Sequence, residues 1–157
     1  MRGSHHCLQL PVALLCALLL TACATSPRHD DPLTQARGEG IAAQALAQLG
    51  KPYRYGGEGP DAFDCSGLVH FTHQAVGIDT PRTTVDQFHA ARRIELRAIE
   101  PGDLLFFRID SAEISHVGVY IGGGQFVHAP QSGRPVERRP LDDSYYRARL
   151  VAAGRLF

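Results

Sequence analysis

Apolar residues recur at helical intervals in the first half of this chain. Across residues 41–49 they stand three and four positions apart, which predicts a helix that ends at Gly50. A second helix is predicted from residue 64 or 65 to residue 76, with Gly77 as its stop signal. A threonine and an aspartate three residues apart resemble a capping box and favour a short third helix over residues 83–92.

The second half of the chain changes to short apolar runs separated by turn residues, which is typical of strands. We predict strands over residues 104–107, 117–121, 125–129 and 150–153. Three glycines at 122–124 lie between the two central runs and favour a hairpin. Helices followed by strands predict an α+β domain, in which the N-terminal helices pack on one face of an antiparallel sheet.

The N-terminus has the pattern of an export signal. Arg2 precedes an apolar stretch from residue 8 to residue 20, which is shorter than the roughly 20 apolar residues that a membrane-spanning helix needs. The sequence Leu20-Thr21-Ala22-Cys23 resembles the lipobox of bacterial lipoproteins, in which the cysteine becomes the lipid-modified first residue. We therefore expect a signal peptide over residues 1–22 that is removed, and a lipid anchor on Cys23.

The cysteines then leave one free thiol. Cys7 and Cys16 depart with the signal and Cys23 is acylated, so Cys65 has no disulfide partner in an exported protein. Residues 23–38 are polar and are predicted to tether the anchor to the domain flexibly. A lone cysteine is often a small buried apolar side chain, but the polar residues beside Cys65 argue against that interpretation.

Charge and length exclude several classes of protein. The 16 basic and 16 acidic residues cancel, so no strong electrostatic field draws the chain to nucleic acid. Residues 39–157 are enough for one domain with a modest core, and they contain no internal repeat. We expect a monomeric domain that binds no nucleic acid and needs no cofactor.

Cys65 stands where a nucleophile would be activated. In the first turn of the second helix, unpaired backbone amides and the positive end of the helix dipole favour the thiolate. The same amides can stabilise an oxyanion that forms when the sulfur attacks a carbonyl carbon. A thiol nucleophile also needs a base, and histidine is the side chain whose ordinary pKa lies near neutrality.

Two histidines of the predicted hairpin are candidates for that base. If residue 121 pairs with residue 125, His116 and His128 lie on one side of the ribbon as diagonal neighbours. A two-residue loop would shift the register and place them on opposite faces. We expect the valine-bearing side of the ribbon to face the core and the histidines to face the helix that carries the thiol.

Other interpretations of the cysteine and the two hairpin histidines stay open. Cys65, His116 and His128 are suitable ligand types for zinc, although a metal-bound thiolate would not then serve as the nucleophile. Spacing alone supports an enzyme and a coincidental arrangement about equally. His70 and His73 follow the thiol on the same helix, and we expect them to be solvated at the surface.

Six short motifs occur in a fixed order along residues 39–157. They are Pro52-Tyr53-Arg54-Tyr55-Gly56-Gly57, Asp64-Cys65-Ser66-Gly67-Leu68-Val69, Pro81-Arg82-Thr83-Thr84, Pro101-Gly102-Asp103-Leu104-Leu105-Phe106-Phe107, His116-Val117-Gly118-Val119-Tyr120 and Phe126-Val127-His128-Ala129. Together they resemble the successive motifs of the NlpC/P60 family of cell-wall peptidases. The resemblance covers nearly the whole domain and implies a papain-like fold, with the cysteine at a helix N-terminus and the histidines on the sheet.

The resemblance also implies roles for individual residues. Cys65 matches the nucleophile and His116 the base, and His128 matches the third catalytic position, which orients His116. Tyr53 matches a tyrosine beside the nucleophile, whose hydroxyl can donate to the substrate or the oxyanion. Ordinary aromatic packing would suit Tyr55 better.

The immediate neighbours of the thiol match the family as well. Asp64 and Ser66 resemble substrate-contacting residues of the site, while a helix cap and a first-turn position are their simpler roles. Arg82 would contact a substrate carboxylate or hold its loop through an ion pair.

The implied reaction is hydrolysis of an amide bond in peptidoglycan stem peptides or crosslinks through a thioester acyl-enzyme. Family members cut more than one kind of bond, and the sequence leaves the choice open. The lipobox, short tether and lone domain resemble small murein endopeptidase lipoproteins of Gram-negative bacteria, which implies the periplasmic face of the outer membrane. An acyltransferase of papain-like fold and a catalytically silent wall-binding lipoprotein are the alternatives.

Overall fold

The structure, a computed structural model, describes residues 31–109 and 111–157. The predicted signal peptide and Cys23 lie outside these residues. The helices in the described part are α1 (Pro32–Ala47), α2 (Cys65–Gln74), α3 (Thr84–Ala90) and α4 (Ser144–Arg147), and a short 3-10 helix spans Leu96–Ala98. The strands are β1 (Arg92–Ile94), β2 (Leu104–Phe107), β3 (His116–Gly122), β4 (Gln125–His128), β5 (Glu137–Pro140) and β6 (Leu150–Arg155).

Helix α1 is longer than its apolar pattern predicts. It begins at Pro32, so the expectation of a flexible tether is wrong for residues 32–38. Proline suits the first helical turn because that turn leaves its amide groups unpaired. Gly38 lies so close to Pro101 that an added Cβ would overlap the carbonyl oxygen of Pro101. Gly38 therefore allows α1 to pack closely against Pro101.

Helices α2 and α3 begin at the caps that the sequence predicts. Asp64 caps α2 by accepting a hydrogen bond from the amide of Gly67 at 2.7 Å. Thr83 caps α3 by accepting from the amide of Asp86 at 3.2 Å. Buried Gln87 joins the two helices, because its side-chain amide donates to the carbonyl oxygen of Ser66 at 3.0 Å. The start of α3 is thereby held beside the start of α2.

The six strands of the described part form one sheet in the order β1-β6-β2-β3-β4-β5, and every neighbouring pair is antiparallel. The predicted α+β class is confirmed, since α1 and α2 pack on β3 of this sheet. Strand β2 has the predicted bounds, whereas the edge strands β1 and β5 were not predicted. None of the helices in the described ranges has the length and apolar character needed to span a bilayer.

Apolar side chains are buried on both faces of the sheet. Leu104 and Phe106 of β2 face α1 and α2, while Leu105 and Phe107 face a second cluster that includes Tyr146 of α4. All four β2 side chains are fully buried, which explains their uninterrupted apolar run. Strand β2 therefore forms the centre of the domain, and β3 lies directly beside it.

The hairpin of β3 and β4 has the register that places the two histidines together. Val119 pairs with Val127 and Tyr120 with Phe126, as predicted from pairing of residues 121 and 125. The turn itself is tighter than expected, because Gly122 pairs with Gln125. A bulge between residues 120 and 122 offsets the shortened loop and keeps the register in the rest of the ribbon.

Candidate active site

A cleft of about 420 Å³ lies at the N-terminal end of α2. All five predicted residues that belong to the thiol side of the site contribute to its walls: Tyr53, Asp64, Cys65, Ser66 and Arg82. Thr83 and Thr84 from the start of α3 complete the lining, together with a loop that carries Tyr55 and Glu58. The structure therefore brings three separate sequence motifs to one opening.

Cys65 is the first residue of α2, and its thiol is free and partly accessible. The hydroxyl oxygen of Thr84 lies 3.5 Å from the sulfur, and the backbone amides of Val117 and Ser66 also interact with it. The sulfur therefore lies at the beginning of β3, beside the residue that follows His116. Thr84 was not singled out in the sequence, although it ends the predicted Pro81–Thr84 motif.

The electrostatic state of the thiol differs from expectation. Burial raises the pKa of Cys65 above its ordinary value, and this effect exceeds the lowering by the Thr84 hydroxyl and the nearby amides. The amides act in the predicted direction, but the expectation that they favour the thiolate overall is wrong. Cys65 is therefore a neutral thiol in the unliganded protein, and its proton must be removed during the reaction.

The carboxylate of Asp64 organises the wall beside the thiol. Arg82 donates to both of its oxygens, at 3.0 and 2.7 Å, and the amide of Gly56 donates to one of them at 2.9 Å. Arg82 also bonds Ser66 at 2.9 Å and pairs with exposed Glu58. The hydrogen bonds to Asp64, followed by those to Glu58, raise the pKa of Arg82, which therefore keeps its positive charge.

These contacts give structural roles to residues that were predicted to contact the substrate. Asp64 caps the helix and Arg82 holds its loop through an ion pair, the simpler of the roles considered for each. Gly67 allows the loop to approach, since a Cβ on it would overlap the carbonyl oxygen of Gly57. Contact of Asp64, Ser66 or Arg82 with a substrate stays a prediction.

The two histidines of the hairpin touch each other. Nε2 of His116 lies 2.8 Å from Nδ1 of His128, and both side chains are buried. Their predicted placement on one side of the ribbon is confirmed. Burial is the first cause that lowers the pKa of each imidazole to about 3, and the neighbouring His128 lowers that of His116 further. Both rings are therefore neutral at physiological pH.

The face of the sheet on which the histidines lie was predicted wrongly. The valine side of the ribbon does face the core, but that core includes Leu68 and Val69 of α2. The imidazoles contact the aromatic rings of Phe107, Phe126 and Tyr146, which belong to the opposite cluster. The thiol helix and the histidines are thus on different faces, and the site forms where β3 begins.

Tyr53, and not Tyr55, is the tyrosine that packs against the core. Tyr55 is 89% exposed and buries little of its ring, so the expectation of ordinary packing is wrong. Tyr53 is partly buried and packs against the core cluster. Burial is the main cause that raises the pKa of Tyr53. Electrostatic repulsion between the phenolate and the ionised forms of Cys65 and Asp64 raises it further. Its phenol therefore stays protonated and can donate a hydrogen bond into the cleft.

The histidines of α2 are less exposed than expected. His73 is fully buried and bonds the carbonyl oxygen of Val69 at 2.8 Å, while His70 is half-buried and contacts Thr80. The predicted surface position is therefore wrong for His73. Over residues 31–109 and 111–157, no cluster of three or more histidine, cysteine, aspartate or glutamate residues has the arrangement of a metal site.

Glu137 is a further residue of the site that sequence analysis did not find. It lies on β5 directly opposite His128, and its Oε1 is 3.4 Å from Nε2 of that ring. The segment has no apolar alternation to reveal a strand, so its register with β4 could not be predicted.

The family model for NlpC/P60 matches residues 50–155, which include the whole cleft and both histidines. The chain belongs to the NlpC/P60 family. The recognition from six ordered motifs is confirmed, and so is the papain-like α+β fold, which solved NlpC/P60 structures share.

Two curated relatives illustrate the range of NlpC/P60 proteins. The murein DD-endopeptidase MepH of Escherichia coli is 40% identical over 71% of this chain and 43% of its own length. The γ-D-glutamyl-L-lysine dipeptidyl-peptidase of Bacillus subtilis is 37% identical over 80% of this chain and 44% of its own length. This chain thus spans less than half the length of either relative.

Solved structures agree with the fold. The NlpC1 protein of Trichomonas vaginalis superposes with a TM-score of 0.71 and is 34% identical, over 76% of this chain and 44% of its own. At this identity the likeness extends from the fold to the family. The NlpC/P60 domain is therefore the part of this protein that the comparisons define.

Proposed function

We propose that this protein is a cysteine-type peptidoglycan hydrolase that cleaves amide bonds of stem peptides or crosslinks. The observation that carries the proposal is the placement of Cys65 at the N-terminus of α2, in an open cleft and beside the start of β3, where His116 is hydrogen bonded to His128. The names of the NlpC/P60 relatives support the substrate class, since they describe enzymes that cut murein or its peptides.

In the proposed reaction His116 takes the thiol proton as the sulfur of Cys65 attacks the amide carbonyl carbon. A preformed ion pair is not favoured, because burial raises the pKa of the thiol and lowers that of the imidazole. Proton transfer then accompanies bond formation, and the positive imidazole is stabilised by His128. His128 also fixes the orientation of the His116 ring through their hydrogen bond.

The tetrahedral intermediate carries a negative oxygen at the mouth of the cleft. The amide groups at the start of α2 and the hydroxyl of Tyr53 are the donors available to stabilise it. Collapse breaks the carbon–nitrogen bond, and His116 returns the proton to the leaving amine. Water then attacks the thioester with His116 as base, which releases a carboxylate and restores the thiol.

The test is digestion of purified sacculi by the mature protein, with fragments identified by mass spectrometry. Wild type is expected to release defined peptide fragments, and Cys65→Ala is expected to release none. The masses also distinguish the two bond types that the relatives' names describe. Absence of any fragment from folded wild-type protein would reject the proposed activity.

We infer that the mature protein is attached to the membrane by lipid on Cys23 and acts from the periplasmic face of the outer membrane. The support is the lipobox-like sequence before Cys23 and the start of α1 at Pro32, a short distance along the chain. Membrane fractionation of cells that express the full chain tests this. Wild type is expected in the outer-membrane fraction, and Cys23→Ser in the soluble periplasmic fraction.

A further inference from the structure

His128 has a second ring nitrogen that the proposed reaction does not explain. Its Nε2 is fully buried and has no hydrogen-bond partner within ideal geometry in the described structure. A buried polar nitrogen without a partner costs stability, so its surroundings are informative. The acceptor that faces it is Oε1 of Glu137, 3.4 Å away on the adjacent strand.

The sheet register and two arginines hold Glu137 in this place. His128 pairs directly with Glu137 across β4 and β5, which puts the two side chains on the same face. Arg134 donates to both carboxylate oxygens at 2.7 Å, and Arg139 donates to Oε1 at 3.0 Å. Both oxygens are contacted by Nη2 of Arg134, and these charge-assisted hydrogen bonds, together with that from Arg139, restrict the position of the carboxylate.

The position of a carboxylate determines which nitrogen of a neutral imidazole carries the proton. Burial and the charges of Arg139 and Arg134 lower the pKa of His128 to about 3, so the ring has one proton and two possible tautomers. A bare Nε2 lone pair would face the negative oxygens of Glu137. A protonated Nε2 faces them favourably, and Nδ1 of His128 is then a hydrogen-bond acceptor.

The tautomer of His128 determines the tautomer of His116. Since Nδ1 of His128 accepts, the 2.8 Å hydrogen bond must be donated by Nε2 of His116. The other nitrogen of His116, Nδ1, is then unprotonated, and its lone pair is free to accept a proton. In the opposite tautomer Nδ1 would carry a proton and could not act as a base.

We propose that Glu137 is a positioning residue that sets the tautomers of His128 and His116, so that His116 presents a basic nitrogen to Cys65. Arg134 and Arg139 hold the carboxylate for this purpose. The inference rests on the proposed function of this site, because it assigns His116 as the base. The aromatic ring of Tyr146 packs against that of His128 on the side of α4, with 4.9 Å between the ring centres.

The direct test is ¹⁵N NMR of the histidine ring nitrogens in the wild-type protein at neutral pH. Signals are assigned by their loss in His116→Gln and His128→Gln. Both histidines are expected to be protonated on Nε2 and bare on Nδ1. Protonation of His128 on Nδ1 would overturn the inference, and this result needs neither a Glu137 variant nor any enzymatic activity.

A variant extends the test to function. Glu137→Gln has the same shape without the charge, and it is expected to weaken the Nε2–H preference and lower kcat about 10- to 100-fold, the loss typical when the outer hydrogen-bond partner of a metal-bound histidine is removed. KM should change less than twofold, because Glu137 does not line the cleft. Unchanged ring shifts with unchanged kcat would overturn the inference.

A matched control comes from the same strand. Arg138 is exposed on the opposite face of β5, and Arg138→Gln is expected to leave both the ring shifts and kcat unchanged. An equal loss in Arg138→Gln and Glu137→Gln would mean a general disturbance of β5 and would overturn the specific role. If sacculi are not cut while the tautomers are as expected, the proposed function fails and the tautomer assignment stands.

Discussion

The hydroxyl oxygen of Thr84 lies 3.5 Å from the sulfur of Cys65, across the junction between the first turns of α3 and α2. This contact is the first of the interactions that lower the pKa of the thiol against the opposing effect of burial. Gln87 maintains the junction through its bond to the carbonyl oxygen of Ser66. The position of α3 therefore affects the pKa of Cys65, the first residue of α2.

Replacement of Thr84 by valine is expected to slow the alkylation of Cys65. Valine has nearly the same shape but no hydroxyl, so the thiolate loses a hydrogen bond of about 1 kcal/mol, which corresponds to about a fivefold smaller thiolate population. The measurement is the rate of reaction with iodoacetamide as a function of pH. Thr84→Ser keeps the hydroxyl and should react like wild type. Equal rates for Thr84→Val and wild type would contradict a hydrogen bond to the sulfur.

Loss of the Tyr53 hydroxyl is expected to reduce kcat. If the phenol donates to the oxyanion, Tyr53→Phe removes one donor, and losses of about 10²- to 10³-fold are typical of such removals. KM should change little, because the interaction develops in the transition state. Tyr145→Phe is the matched control, since Tyr145 lies on α4 and does not line the cleft. A rise in KM with kcat unchanged would indicate ordinary substrate contact instead.

The ion pair between Asp64 and Arg82 is expected to stabilise the domain as well as the cleft. Asp64→Ala removes the cap of α2 and leaves partly buried Arg82 without its main partner, which should cost about 2 to 4 kcal/mol of unfolding free energy. Asp64→Asn keeps a capping oxygen and should cost less. Urea unfolding measures both variants. Equal losses in the two would mean that the charge, and not the cap, dominates.

The elements that the sequence predicts well are those with buried apolar residues on both sides. Strand β2 has four apolar side chains in succession because both faces of the central sheet are covered. Strands β1 and β5 lie at the edges and contain Arg92, Arg93, Arg138 and Arg139. Charged residues protect edge strands from pairing with other chains, and they also remove the apolar period that predicts a strand.

The candidate site also contains residues that the sequence predicts and residues that it does not. Local rules are enough to place Cys65 at a helix start and to bring His116 and His128 to one side of a hairpin. Thr84 and Glu137 approach them through tertiary packing between elements distant in sequence, which no local period encodes. The face of the sheet on which the histidines lie was predicted wrongly for the same reason. The aromatic cluster that covers them includes Tyr146 of α4, a helix that was not predicted.

His73 is expected to make the stability of the domain fall with acidification. Its side chain is fully buried and has one hydrogen bond, and burial lowers its pKa from 6.5 to about 4. Between these values the unfolded chain binds a proton at His73 that the folded protein does not, so unfolding becomes more favourable as the pH decreases below 6.5. Each such group contributes a slope of about 1.4 kcal/mol per pH unit within its window.

The slope is measured by urea unfolding at several pH values between 7.5 and 5. His73→Gln is expected to reduce it by about 1.4 kcal/mol per pH unit, whatever the effect of the substitution at neutral pH. His116 and His128, whose pKa values are lowered to about 3, contribute to the slope that is left, and Asp103, whose pKa burial raises to about 7, opposes them. His89→Gln, on the exposed side of α3, is the matched control. If His73→Gln and wild type lose stability in parallel, the buried imidazole of His73 is protonated in the folded protein.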